Sequence, residues 1–151
     1  MQRADFTRQR SQRGLTLVEI VIAMLLAAVL VTLAYPSFRA QWLKARRGDG
    51  RVALMQLQQG QERWRAEHPS YATGTELGAP ERSPEGHYRL AVHEVSPSGY
   101  ELRAVAEGAQ REDTGCSVLK VRQTQGETMF LSGPSQDADN AHDTNRGCWN
   151  R

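Results

Sequence analysis

Three groups of side chains in this sequence have types and spacings that could do chemistry. The first is a lone carboxylate, Glu19, inside the apolar run LTLVEIVIAMLLAAVLVTLA from Leu15 to Ala34. A carboxylate within a bilayer costs about 2.5–3.5 kcal/mol on insertion scales, so it calls for a partner. The second group is Cys116 and Cys148, which lie far apart and outside any CxxC pair. They suit one disulfide in an oxidising compartment, and closing that loop of roughly 33 residues would contribute about 3–4 kcal/mol. A nucleophilic thiol would need a base, and His68, His87, His93 and His142 stand in no sequence relation that supplies one. The third group is Asp137, Asp139, Asn140, His142 and Asp143, an oxygen-rich tail that suggests calcium. It lacks the glycine and closing glutamate of an EF-hand loop and reads as a solvated loop. No phosphate loop, catalytic triad or paired-carboxylate site is recognisable in the sequence, so neither an enzyme nor a cofactor or metal is expected.

The elements that carry these groups follow from hydrophobic patterning. The apolar run holds twenty residues with one charge and no Gly or Pro. At about 1.5 Å per residue it spans roughly 30 Å, the thickness of a hydrocarbon core. A buried core helix would show a polar face, and this one has only Thr16, Glu19 and Thr32. The hydrophobic region of a secretory signal is shorter and ends at an A-x-A-like site, which Ala34-Tyr35-Pro36 does not match. The run therefore reads as a membrane-spanning helix. Arg3, Arg8, Arg10 and Arg13 against Asp5 give the first fourteen residues a net charge of +3. That charge holds the N-terminus in the cytoplasm and sends the chain after Pro36 across the membrane. Arg39, Lys44, Arg46, Arg47 and Arg51 form a second basic cluster beyond the run, suited to lipid headgroups or to neighbouring copies of the chain.

The helical pattern continues to about Glu67, where His68-Pro69 stops it. Leu54, Leu57, Gln61 and Trp64, with Val52 and Met55 beside them, make a stripe that predicts a face packed on a core. Pro36, Gly48, Gly50 and Gly60 are weak places that either break the element into two helices or let one helix bend. Residues 70–86 read as a loop. Strand-like alternation follows through Tyr88, Leu90 and Val92, then Tyr100, Leu102 and Ala104, then Val118 with Leu119 and Val121, and finally TMFLSG from Thr128. Short turns between these segments predict an antiparallel meander of about four strands, and the tail from Pro134 reads as polar and irregular. The fold class is thus α+β: a long N-terminal helix, apolar and membrane-spanning in its first half, packed through its second half on the sheet. Its apolar half, without a partner in the chain, must sit in lipid or against copies of itself.

Charge excludes nucleic-acid binding as a composition-level reading. Beyond residue 14 there are 15 basic and 16 acidic residues, so a positive stripe must come from folding. Trp42, Trp64 and Trp149 with scattered arginines could offer stacking and phosphate contacts, but a mixed soluble surface is the plainer expectation.

Arg13-Gly14 followed by LTLVE, the apolar run and Pro36 closely resembles the signature of type IV pilins and pseudopilins. QQGQERWRAEHPSY, GYELRAV, DTGCSVLKV and the terminal GCWNR resemble PilE-like minor pilins, a branch related to the ComP-type DNA-uptake minor pilins. The resemblance covers nearly the whole chain and departs from the signature in having Leu15 where phenylalanine is usual. It implies a leader, 1–14, cut by prepilin peptidase between Gly14 and Leu15, and N-methylation of Leu15. It also implies a transmembrane and filament-core helix half, 15–34, and a periplasmic globular domain, 35–151. Glu19 matches the family's acidic residue, whose partner is the new amine of a neighbouring subunit, and Pro36 is the expected bend. Implied partners are other pilin subunits, the peptidase, the inner-membrane assembly machinery and lipid before assembly. The function so implied is that of a structural minor subunit supporting pilus biogenesis and twitching motility or adhesion. A type II secretion pseudopilin and a DNA-uptake receptor are the alternatives.

Overall fold

The computed structural model describes residues 16–149. The chain divides at Phe38/Arg39 into two units. Helix α1 is one continuous element, Leu17–Arg65, with Pro36 inside it, and it ends close to the expected stop at Glu67. Proline lacks the donor for the Thr32 carbonyl, yet the helix does not divide there. The first unit consists of the apolar turns of α1, and every residue from Thr16 to Phe38 is exposed. That stretch is long and apolar enough to cross a membrane by length and composition.

The second unit pairs the remainder of α1 with four strands, β1 Tyr88–Ser96, β2 Gly99–Ala106, β3 Val118–Thr124 and β4 Glu127–Gly133. They form an antiparallel meander in the order β1-β2-β3-β4. Alternation fixes the register: Leu90 opposes Ala104, Ala104 opposes Leu119, and Leu102 opposes Val121. These residues share the face that packs with Ala53, Leu54 and Leu57 of α1 into one core. Tyr88 closes it by lying against Gly50, where a Cβ would meet the ring at 2.9 Å. Gly60 admits Leu77 in the same way, at 3.1 Å. Both glycines are therefore close-packing positions. Gln61 belongs to the buried stripe because its amide pairs both ways with Ala72, donating to its carbonyl at 2.7 Å and accepting from its N–H at 2.8 Å. Val52, expected beside that stripe, is exposed, because it turns to the other side of α1 from Leu54.

The tail corrects the expectation of an irregular end: α2, His142–Trp149, is helical. Its local propensity is poor, and tertiary ties supply what propensity does not. Cys148 is bonded to Cys116 with the Cα atoms 5.7 Å apart. Trp149 packs edge-on against Phe130 and donates to the Leu131 carbonyl at 2.9 Å. Cys116 itself lies in a 3₁₀ turn, Thr114–Cys116, just before β3.

Candidate functional site

Glu19 is exposed in the first turn of α1. Its backbone N–H donates to Thr16 Oγ1 at 3.2 Å, and the Ile20 N–H donates to the Thr16 carbonyl at 3.2 Å. Thr16 is thus an N-cap and Glu19 its third helical residue, the T-x-x-E spacing of a capping box. The spacing is legible in the sequence. Among the described residues no cation pairs with the Glu19 carboxylate. Gly14 and Leu15, the expected cleavage and methylation residues, lie outside the described residues.

The second basic cluster is largely used inside the domain. Arg39 pairs with Glu112, Arg47 with Asp113, and Arg51 donates to the Trp149 carbonyl at 3.0 Å. Arg46 stacks on Trp42 at 5.4 Å. Three of its five members therefore have partners within the domain, with Arg39 itself still 53% exposed. The acidic tail is likewise engaged. Lys120, nearly inaccessible, donates to Asp139 Oδ1 at 2.8 Å and to the Gln136 carbonyl at 2.7 Å. Of the residues considered for calcium, Asp139 is thus held by an ammonium group of the chain itself, while Asp137, His142 and Asp143 are exposed. Among the described residues no cluster fit to hold a metal occurs.

Across the outer face of the sheet, Glu101 is fully buried between Arg103 and Arg122. Burial pushes its carboxyl up, but bonds from the two guanidinium groups outweigh that and hold it below the ordinary value. These cations are consumed in packing.

A different set is not. Residues 81–83 run antiparallel to β1, with Leu90 N–H donating to the Glu81 carbonyl at 2.8 Å and Ser83 N–H to the Tyr88 carbonyl at 2.9 Å. Buried Asp49 of α1 pins this segment, accepting from Ser83 Oγ at 2.5 Å and from the N–H groups of Glu85 and His87. The result sets Arg82 opposite Arg89 on an isolated bridge. Both arginines, 63% and 65% exposed, reach Glu107, at 3.2 and 2.5 Å. Arg82 and Arg63 together rim an apolar cleft of about 310 Å³ floored by Leu57, Leu77 and Leu90. Arg89 and Arg111 line a smaller cleft of about 230 Å³ with His93 and Gln136. Arg63 and Arg82 share the first cleft, Arg82 and Arg89 the bridge, and Arg89 and Arg111 the second cleft, so the four follow one another as a ridge around the β1 edge. Among the described residues only Glu107 pairs with any of them; exposed Glu81 stands beside Arg82 without an ion pair.

Such a ridge suits a row of phosphates. No tryptophan lines either cleft: Trp149 is buried, and Trp64 is stacked on His68 at 3.9 Å. The stacking arrangement considered for Trp42, Trp64 and Trp149 is therefore not assembled at the ridge. Sequence reasoning missed the ridge because its members are dispersed from residue 63 to residue 111.

Residues 36–120 match the family described as type IV minor pilin ComP, DNA uptake sequence receptor. The chain belongs to this ComP family of type IV minor pilins. Residues 9–35 match the prokaryotic N-terminal methylation motif, the segment that contains Gly14, Leu15 and Glu19. No curated protein sequence matches the chain. Both matches are to pilin families, which assemble with other pilins, and the methylation motif with the apolar start of α1 fits an inner-membrane-anchored pilin later built into a pilus. The ComP match covers α1 from Pro36, β1, β2 and the ridge in full.

Proposed function

We propose that this minor pilin is a DNA receptor of the pilus, and that the arginine ridge on the β1 edge is its contact surface. The observation that carries the reading is four arginines answered by one paired carboxylate, in a chain whose overall charge beyond residue 14 is close to balanced. Phosphate contacts of this kind position a duplex and carry no base information directly, so sequence preference would come from neighbouring groups. DNA uptake thereby ranks above the motility and adhesion roles, for which no surface feature of the described residues speaks, and above a secretion pseudopilin, which the ComP match disfavours.

In the same proposal the chain is made as a precursor in the inner membrane with the domain from residue 35 in the periplasm. Prepilin peptidase cuts after Gly14, Leu15 is N-methylated, and the helix half 15–34 leaves lipid for the filament core. Glu19 then answers the Leu15 amine of a neighbouring subunit. Pro36 gives α1 a place to bend.

The test is binding of a labelled mixed-sequence duplex by the full chain in detergent micelles over a range of salt. Four contacts predict a slope of log affinity against log salt of about −3 to −4, since each phosphate contact contributes about −0.9. The triple variant Arg63→Ala, Arg82→Ala, Arg89→Ala should flatten that slope to about −1. Absence of duplex binding at low salt, or an unchanged slope in the triple variant, would overturn the reading.

A further inference from the structure

We infer that Arg47 is a positioning residue for Arg111, and that one stripe of α1 sets the DNA site from behind. The inference rests on the DNA reading above. Arg39, Leu43 and Arg47 recur every four residues and so share one face of α1. Each holds a neighbour of Arg111. Arg39 pairs with Glu112. The Leu43 carbonyl accepts from Gln110 Nε2 at 3.1 Å. Arg47 grips Asp113 with two parallel bonds, Nε to Oδ2 at 2.6 Å and Nη2 to Oδ1 at 2.8 Å. Gln110 and Asp113 are buried, whereas Arg111 between them is exposed and makes no ion pair among the described residues.

The element that carries Arg111, Gly108–Glu112, is a 3₁₀ helix of 5 residues. At its two ends Gln110 N–H donates to the Glu107 carbonyl and Asp113 N–H to the Gln110 carbonyl, both at 3.0 Å. A 3₁₀ helix this short is weak on its own bonds, so the grip from α1 helps determine where Arg111 stands. Arg47 also donates from Nη1 to the Gly147 carbonyl at 3.1 Å, tying the same face to α2. With Nε, Nη1 and Nη2 all committed and the side chain only 15% exposed, Arg47 is poorly placed to meet a phosphate itself. From its sequence neighbourhood alone it would be counted as a phosphate contact. A fixed Arg111 meets DNA without first losing the freedom of a loose turn, and that saving is the gain from positioning. Lysine at 47 keeps the charge but loses the planar fork that fits Asp113.

The test is a double-mutant cycle on duplex binding by the full chain in micelles, read as affinity over a range of salt. Arg47→Met, Arg47→Lys and Arg111→Ala should each weaken binding roughly three- to tenfold. Adding Arg47→Met to Arg111→Ala should weaken binding no further, while adding it to Arg63→Ala should cost its full factor. A merely structural loss would instead add to both backgrounds. Should Arg47→Met fail to fold, Gln110→Met breaks the adjoining tie and should show the same pattern. An Arg47→Lys variant with wild-type affinity, full additivity with Arg111→Ala, or an inert Arg111→Ala would overturn the inference while the DNA reading stands. A wild-type chain that binds no duplex would remove that reading and the inference with it.

Discussion

Arg82 and Arg89 stand opposite one another on an antiparallel bridge and share the carboxylate of Glu107, which is 12% exposed. Two like charges side by side repel, and Glu107 offsets that cost while leaving the ridge positive. The arrangement keeps both guanidinium groups ordered and presented before any ligand arrives.

Glu107→Gln removes the one paired negative charge and keeps a hydrogen-bond acceptor. We expect duplex affinity to rise about two- to fivefold at low salt, with the gain shrinking as salt screens the ridge. Anisotropy titrations at several salt concentrations measure this. Weaker binding by the variant would mean that ordering the arginines matters more than their net charge.

Gly50 and Gly48 make a matched pair on α1. A Cβ at Gly50 meets the Tyr88 ring at 2.9 Å, while one at Gly48 meets only the Arg51 side chain at 4.0 Å. Alanine gains about 1 kcal/mol in helix propensity at either site. At Gly50 the overpacking should outweigh that gain, for a net loss of about 1–2 kcal/mol. Gly48→Ala should instead stabilise by about 0.5–1 kcal/mol. Urea midpoints followed by tryptophan fluorescence decide between opposite signs.

The Glu101 carboxyl gives the outer sheet face an acid dependence. Its value is lowered in the folded state from an ordinary 4.5. The group therefore contributes stability that is complete above the unfolded value and lost as pH falls through the lowered folded one. Glu101→Gln, which leaves Arg103 and Arg122 without their shared anion, should cost about 1–3 kcal/mol at neutral pH. The gap from wild type should narrow on acidification below about pH 4. A gap independent of pH would show that shape, and not charge, accounts for the loss.

The strands and the buried stripe of α1 were legible because each is a local pattern: Leu102 and Ala104 alternate, and Leu54 and Leu57 recur at helical spacing. The disulfide was legible from cysteine count alone. Helix α2 was hidden because HDTNRGCW has weak propensity and is held by Cys148 and Trp149, whose partners lie far away in the chain. The ridge was hidden for the same physical reason. Arg63, Arg82, Arg89 and Arg111 meet only after Asp49 has pinned the loop and the sheet has formed. A balanced charge count cannot show which arginines will be spent internally, as Arg47 and Arg103 are, and which left at the surface.

Glu19 admits two roles that one experiment separates. As the third residue after the Thr16 cap it favours the start of α1 through the helix dipole, a contribution of about 0.3–1 kcal/mol. As an exposed carboxylate in an apolar segment it also carries a larger desolvation cost, about 2.5–3.5 kcal/mol, until a cation meets it. If capping were its whole role, Thr16→Val, which removes the cap at a cost of about 1 kcal/mol, would do at least as much damage as Glu19→Ala. We expect otherwise. Glu19→Ala should be cleaved normally and reach filaments poorly, whereas Thr16→Val should be cleaved and incorporated nearly as wild type. Gly14→Asp, which blocks formation of the Leu15 amine, should leave a precursor about 14 residues longer and match Glu19→Ala in its absence from filaments. Immunoblots of sheared pili and membranes, with intact masses, read all three. Normal incorporation of Glu19→Ala would sink the pairing of Glu19 with the amine and leave it a cap.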